Sequence, residues 1–92
     1  MPSAHRPWFV YLVRCSDGSI YTGITDDLDA RIRKHNADKG AQYTAQRRPV
    51  VLLYSEIHSD QNGARRREAQ LKRWTREKKE KLVAGFPRLR SG

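Results

Sequence analysis

Residues 8–25 read WFVYLVRC (8–15), SDGS (16–19) and IYTGIT (20–25). The first run is short and dense in aromatic and β-branched residues, the composition of a strand. Asp17-Gly18 is a strong hairpin signal, so the third run returns as an antiparallel partner. If Asp17-Gly18 were the whole loop, with Ser16 opposite Ser19, Tyr11 would face Ile24. Tyr21 would then point to the other side of the sheet. A loop of odd length, or a bulge, brings Tyr11 and Tyr21 to one face, and that arrangement is expected here. Gly23 interrupts the return strand. A strand glycine costs stability and marks a close approach by a ligand or another backbone.

Working outward, Asp26 or Asp27 is placed to cap a helix over Leu28 to Ala37 that ends near Gly40. Ala41 to Pro49 reads as a polar connection carrying Arg47-Arg48. Val50 to His58 (VVLLYSEIH) is the third strand, and its apolar start predicts burial on both faces and a central place in the sheet. Ser59 or Asp60 caps a helix over Gln61 to Trp74. Thr75 caps a short one over Arg76 to Val83 that stops at Gly85. The expected order is β-β-α-β-α-α, an α/β fold. It is a small sandwich with a three-stranded, mainly antiparallel sheet flanked by helices. One domain over residues 8–84 is expected, between a flexible N-terminus (1–7) and a flexible tail (85–92).

The 92 residues carry 19 Lys and Arg against 10 Asp and Glu, a net charge of +9. A domain this basic points to a polyanionic partner, DNA or RNA in the first place and an anionic membrane surface as a weak second. No run approaches the ~20 apolar residues of a membrane span. The first seven residues lack the apolar stretch of a signal peptide, and Cys15 has no second cysteine to pair with, so a cytoplasmic protein is expected. His5 and His58, each isolated in sequence, offer no zinc site.

Several polar residues stand where apolar ones belong. Ala64, Leu71 and Trp74 mark the buried face of the long helix, and helical geometry sets Glu68 in the same stripe. A carboxylate there is either an edge residue reaching water or pairing with Arg65 or Lys72, or one compensated by a cation or metal. Leu28 and Ile32 define the buried stripe of the first helix, with Arg31 and His35 flanking it four residues apart. Arg31 offers a planar fork that suits phosphate oxygens, and His35 can donate to phosphate or move a proton. Beside Arg33 and Lys34, the pair equally reads as a solvated face. Tyr43 and Tyr54 read as core residues, and Trp74 as core rather than a base-stacking platform. The C-terminal helices crowd Arg65, Arg66, Arg67, Lys72, Arg73, Arg76, Lys78, Lys79 and Lys81 together. Such a row suits salt-sensitive phosphate contact and equally a solvated face laced with Glu77 and Glu80.

Taken in order, these residues resemble the GIY-YIG nuclease superfamily. The chain is most similar to its small, single-domain bacterial members, the YhbQ-like or UPF0213 group. Val10-Tyr11 stands at the first half of the motif and Tyr21-Thr22-Gly23 at the second. Arg31 and His35 match the helix motif, and Glu68 the metal-binding acid. Ala41-Gln42-Tyr43-Thr44, Arg67-Glu68 and Lys72-Arg73-Trp74 also look like the small group. The resemblance implies a DNA endonuclease, a phosphodiester hydrolase of repair or recombination, using one Mg²⁺ (or Mn²⁺) ion on Glu68. It implies that Arg31 holds the scissile phosphate and that Tyr21 or Tyr11 orients or deprotonates the attacking water with help from His35. Gly23, Arg65, Arg66, Arg67, Lys72, Arg73 and Arg76 would contact nucleic acid, with no obligate protein partner. Lys78-Lys79-Glu80-Lys81 stands where many superfamily nucleases carry an asparagine. A non-catalytic or weakly catalytic DNA- or RNA-binding module of the same fold therefore stands beside the nuclease.

Overall fold

A computed structural model describes residues 6–37 and 47–85. Strands β1 (Trp8–Arg14) and β2 (Ile20–Thr25) form the hairpin. Gly18 N–H donates to Cys15 O (2.9 Å) and Cys15 N–H to Ser19 O (2.8 Å), leaving Ser16, Asp17 and Gly18 as the loop. Gly18 takes φ +88°, the left-handed position that closes a three-residue loop. Asp17 Oδ1 accepts from the Ser19 amide (3.0 Å) and hydroxyl (2.6 Å), which holds the turn. The loop has odd length, as the shared placing of the tyrosines requires. Tyr11 lies opposite Gly23 and Tyr21 opposite Val13, so both phenols stand on one face.

Strand β3 (Val51–His58) pairs antiparallel with β1, giving the order β2-β1-β3. This corrects the expectation that the third strand is central. The strand buried on both faces is β1, where Val10, Tyr11, Leu12 and Val13 are fully buried. β3 is an edge, with Val51, Leu52 and Ile57 at 60%, 38% and 64% exposure. Its apolar run misleads because the register shifts. Leu12 faces Tyr54 but Val13 faces Leu52, so Leu53 is an extra residue on β3, a bulge that breaks the alternation.

Helix α1 (Leu28–Asn36) covers one face, and α2 (Gln61–Lys72) with α3 (Arg76–Ala84) covers the other. Alternate residues of β1 divide between the two layers. Val10 and Leu12 pack with Ala64, Leu71 and Val83, while Tyr11, Val13, Cys15 and Val50 pack with Tyr21, Leu28 and Ile32. Each helix starts on a side-chain cap. Asp27 accepts from Ala30 N (3.1 Å), Asp60 from Gly63 N (2.8 Å) and Thr75 from Lys78 N (3.2 Å). α2 stops two residues before Trp74, which packs partly buried against the core beside α2 and α3. The element order is β-β-α-β-α-α. Tyr43, His5 and the tail beyond Gly85 lie outside the described residues. Among the described residues no helix is long and apolar enough to cross a membrane.

The loop conformation sets a test. Gly18→Ala is expected to cost about 1–2 kcal/mol, because a Cβ is disfavoured at positive φ. A urea midpoint lowered with unchanged slope is the outcome that checks it.

Candidate active site

Tyr11 is fully buried, so its hydroxyl must find partners inside the protein. It finds two, both on α1. Tyr11 Oη lies 2.8 Å from His35 Nε2, and Arg31 Nε–H donates to Tyr11 Oη at 3.3 Å. The Arg31 donor occupies a lone pair of the phenol oxygen. The phenol oxygen keeps a second lone pair and its own proton for the contact with His35 Nε2. Arg31 also hydrogen-bonds the Tyr21 phenol. The His35 ring meets Tyr11 and Tyr21 edge-on, at 5.8 and 5.5 Å between centroids.

Burial pushes the Tyr11 hydroxyl above its ordinary value, opposed by the hydrogen bond and charge of Arg31 and reinforced by Tyr21 and Glu68. Burial, then the Arg31 charge, pushes His35 down. Arg31 is held protonated chiefly by its bond to Tyr11. The resting site is thus a neutral phenol and a neutral imidazole beside a fixed cation.

Gly23 explains how the phenol reaches this position. A Cβ on Gly23 would sit 2.5 Å from Tyr11 Oη and 2.7 Å from Cζ. The close approach that the strand glycine signals is made by the Tyr11 ring itself.

His35 corrects an expectation. It is not a flanking, solvated residue but the buried residue of α1. The sequence carried the signal, since Leu28, Ile32 and His35 fall at i, i+4 and i+7, the spacing of one helix face. Glu68 sits in the α2 stripe as anticipated, its side chain 22% exposed, and Lys72 Nζ pairs with it at 3.2 Å. Its charge is felt at Tyr11. Tyr11, Tyr21, Arg31 and His35 come together, with Glu68 in electrostatic reach.

The basic residues divide. Arg65, Arg66 and Arg73 are exposed, whereas Arg76 pairs with Glu80 at 3.2 Å. Arg67 is drawn inward to a second cluster that sequence reasoning missed. Glu56 on β3 accepts from Arg67 Nε (2.9 Å) and the Tyr54 hydroxyl, and bonds His58 Nε2 at 2.7 Å. The Arg67 guanidinium also lies 5.3 Å from the Trp74 ring centroid. Burial opposes ionisation of Glu56, but its Tyr54, His58 and Arg67 partners outweigh it and hold the carboxyl below the usual range. The available signal was alternation, since Tyr54, Glu56 and His58 share one strand face. Among the described residues one buried side-chain oxygen, Thr22 Oγ1, has no protein partner.

Residues 7–81 match the family profile of the GIY-YIG catalytic domain. The chain belongs to the GIY-YIG family. A UPF0213 protein of Staphylococcus aureus (strain N315) is 51% identical over 75 residues, spanning 82% of this chain and 92% of the relative. The solution NMR structure of a UPF0213 protein from Bacillus halodurans aligns with TM-score 0.56 and 44% identity, covering 85% of this chain and 83% of that one. A solution NMR structure of a protein from E. faecalis aligns with TM-score 0.60 and 33% identity, covering 94% of both chains.

A GIY-YIG domain implies a divalent metal, and the donors present can be tested against one. Among the described residues no three His, Cys, Asp or Glu side chains gather to cage an ion. One half-buried carboxylate, Glu68, stands within electrostatic reach of the phenol cluster. That set fits Mg²⁺, which keeps several waters and binds through one or two carboxylates plus substrate phosphate.

Two outcomes follow from the geometry. The folded His35 pKa lies below the ordinary 6.5, so its contribution to stability is complete above that pH and is lost as pH falls from there through the folded value. Urea midpoints measured across this window are expected to fall for the wild type and to flatten in His35→Gln. Gly23→Ala is expected to destabilise by about 1–3 kcal/mol. Combined with Tyr11→Val it is expected to cost less than the sum of the two changes, read in a double-mutant cycle.

Proposed function

We propose that this GIY-YIG chain binds the phosphodiester backbone of nucleic acid, DNA in the first place and RNA in the second. The observation that carries the reading is Arg31, a permanent cation whose Nε is fixed on Tyr11 at the head of a basic domain. A guanidinium oriented in this way offers its remaining N–H groups to non-bridging phosphate oxygens. The exposed Arg65, Arg66 and Arg73 supply a sequence-independent, counterion-releasing component. Replacing these three by alanine is expected to weaken DNA binding and to reduce the slope of log K against log salt by about 2–3.

A second reading, metal-dependent endonuclease activity, is favoured by the two phenols gathered on Arg31. A phenol is a poor base at neutral pH, since its free value is near 10. Arg31 eases that difficulty. Tyr11 is fully buried, so the phenol that can meet an attacking water is the part-exposed Tyr21, and Arg31 stabilises the phenolate character that develops as Tyr21 takes the proton. The water oxygen adds to phosphorus, and the sugar oxygen departs with its electron pair and takes a proton from solvent. Tyr11 and His35 hold Arg31 and the α1 face in place beneath this site. Mg²⁺ held by Glu68 would supply charge neutralisation at the phosphate.

A cleavage assay with plasmid, branched and single-stranded substrates in Mg²⁺ or Mn²⁺ tests both readings. Under the endonuclease reading, Glu68→Ala abolishes cleavage and largely spares binding, while Arg31→Ala lowers both. Salt-dependent binding without product on any substrate leaves the binding module. Absence of nucleic-acid affinity at low salt defeats both readings.

A further inference from the structure

A cleft of about 290 Å³ opens at the end of the hairpin beside the start of α1. Trp8 and Ile24 form its apolar wall, Asp26 and Asp27 bring carboxylates, and Arg31 and Lys34 bring cations. It is continuous with the phenol cluster through Arg31, which lines the cleft and also donates to Tyr11. Its size lies at the low end for ligand pockets, which suits a group of one or two rings better than a large cofactor. Its polarity is mixed, so neither a bare cation nor a bare anion satisfies it. One ligand meets all three parts: a nucleotide. A phosphate on Arg31 and Lys34 leaves the base to lie against Trp8, where stacking is favourable for any base.

The acids then become informative. Asp27 Oδ1 is committed to its cap on Ala30 N. The Asp26 pair with Arg6 is 3.9 Å long, beyond hydrogen-bond range, between side chains 42% and 61% exposed. Carboxylates accept, and cytosine N4 and adenine N6 present amino donors that thymine lacks. A base paired and stacked within a duplex cannot enter such a cleft.

Resting on the nucleic-acid reading above, we infer that the cleft of Trp8, Asp26, Asp27 and Arg31 receives one unpaired, amino-bearing base next to the phosphate held by Arg31. The substrate class is therefore single-stranded or locally unpaired nucleic acid. Trp8 is the stacking wall, and Asp26 is the residue that determines base preference.

The test measures binding by fluorescence anisotropy in EDTA, with no turnover, at one fixed salt concentration. The probes are an oligodeoxycytidylate, an oligothymidylate, an abasic strand of equal length and a blunt duplex. The cytidylate is expected to bind about tenfold more tightly than the abasic strand, with the thymidylate between them. Asp26→Ala is expected to erase the preference for cytidylate over thymidylate. Trp8→Ala is expected to bring every strand to the abasic level and leave abasic binding unchanged. Because Trp8 packs against the core, Asp26→Ala, on a part-exposed residue, keeps the question open to refutation if Trp8→Ala fails to fold. Equal binding of cytidylate and abasic strands, or an equal loss on all probes in Asp26→Ala, overturns the cleft assignment and leaves the nucleic-acid reading standing. No binding of any probe at low salt overturns both.

Discussion

The hydroxyl of Tyr11 is the atom on which the rest of this structure depends. A buried phenol oxygen without partners would be costly, and here it is given two, the Arg31 Nε–H and His35 Nε2. Both come from α1, four residues apart, which fixes how that helix is rotated about its axis. The ring reaches them by lying over Gly23, so β2 must be bare at that position. One oxygen thus ties together β1, β2 and α1. The same arrangement that satisfies the buried groups leaves Arg31 charged and oriented, which is what a phosphate-binding site needs.

Much of the fold was legible because its signals are local. Asp27, Asp60 and Thr75 cap their helices at the positions where short oxygen-bearing side chains precede helical spacing. The hairpin followed from Asp17-Gly18, and its odd loop from the demand that Tyr11 and Tyr21 meet. Strand order was not legible. Val50 to Leu53 and Val10 to Val13 are similarly apolar, and only tertiary packing decides which of them is enclosed. The bulge at Leu53 removes the alternation that would have exposed β3 as an edge. The burial of His35 was masked by Arg33 and Lys34, which make its neighbourhood look solvated although its spacing from Leu28 and Ile32 is that of an inward residue. Glu68 was found because a carboxylate in an apolar stripe stands out in a basic chain. Glu56 escaped because its partners come from β3 and from α2, eleven residues further along.

The two polar clusters have opposite characters. At Tyr11 the titratable groups are pushed towards neutrality beside one cation, leaving capacity for an anion. At Glu56 a carboxylate is saturated by a phenol, an imidazole and a guanidinium, and it draws Arg67 out of the basic row. Arg67 then covers Trp74, which Lys78 also approaches at 4.3 Å. Part of the excess positive charge is thus used to fasten α2 and α3 to the sheet. The outward-facing Arg65, Arg66 and Arg73 carry the long-range field.

The three-residue loop closed by Gly18 has a consequence for how this domain can change over time. Side chains alternate across a strand, so the loop acts as a parity switch for everything that follows it. Gain or loss of a single residue would send Tyr21 to the α2 face and turn Ile20 and Ile24 towards α1. The pocket would lose a phenol and the core two branched side chains in one step. Loop length is therefore free to drift only in pairs. A one-residue indel between Cys15 and Ser19 is as disruptive as a substitution of Tyr11 itself, although it lies at the far end of the hairpin.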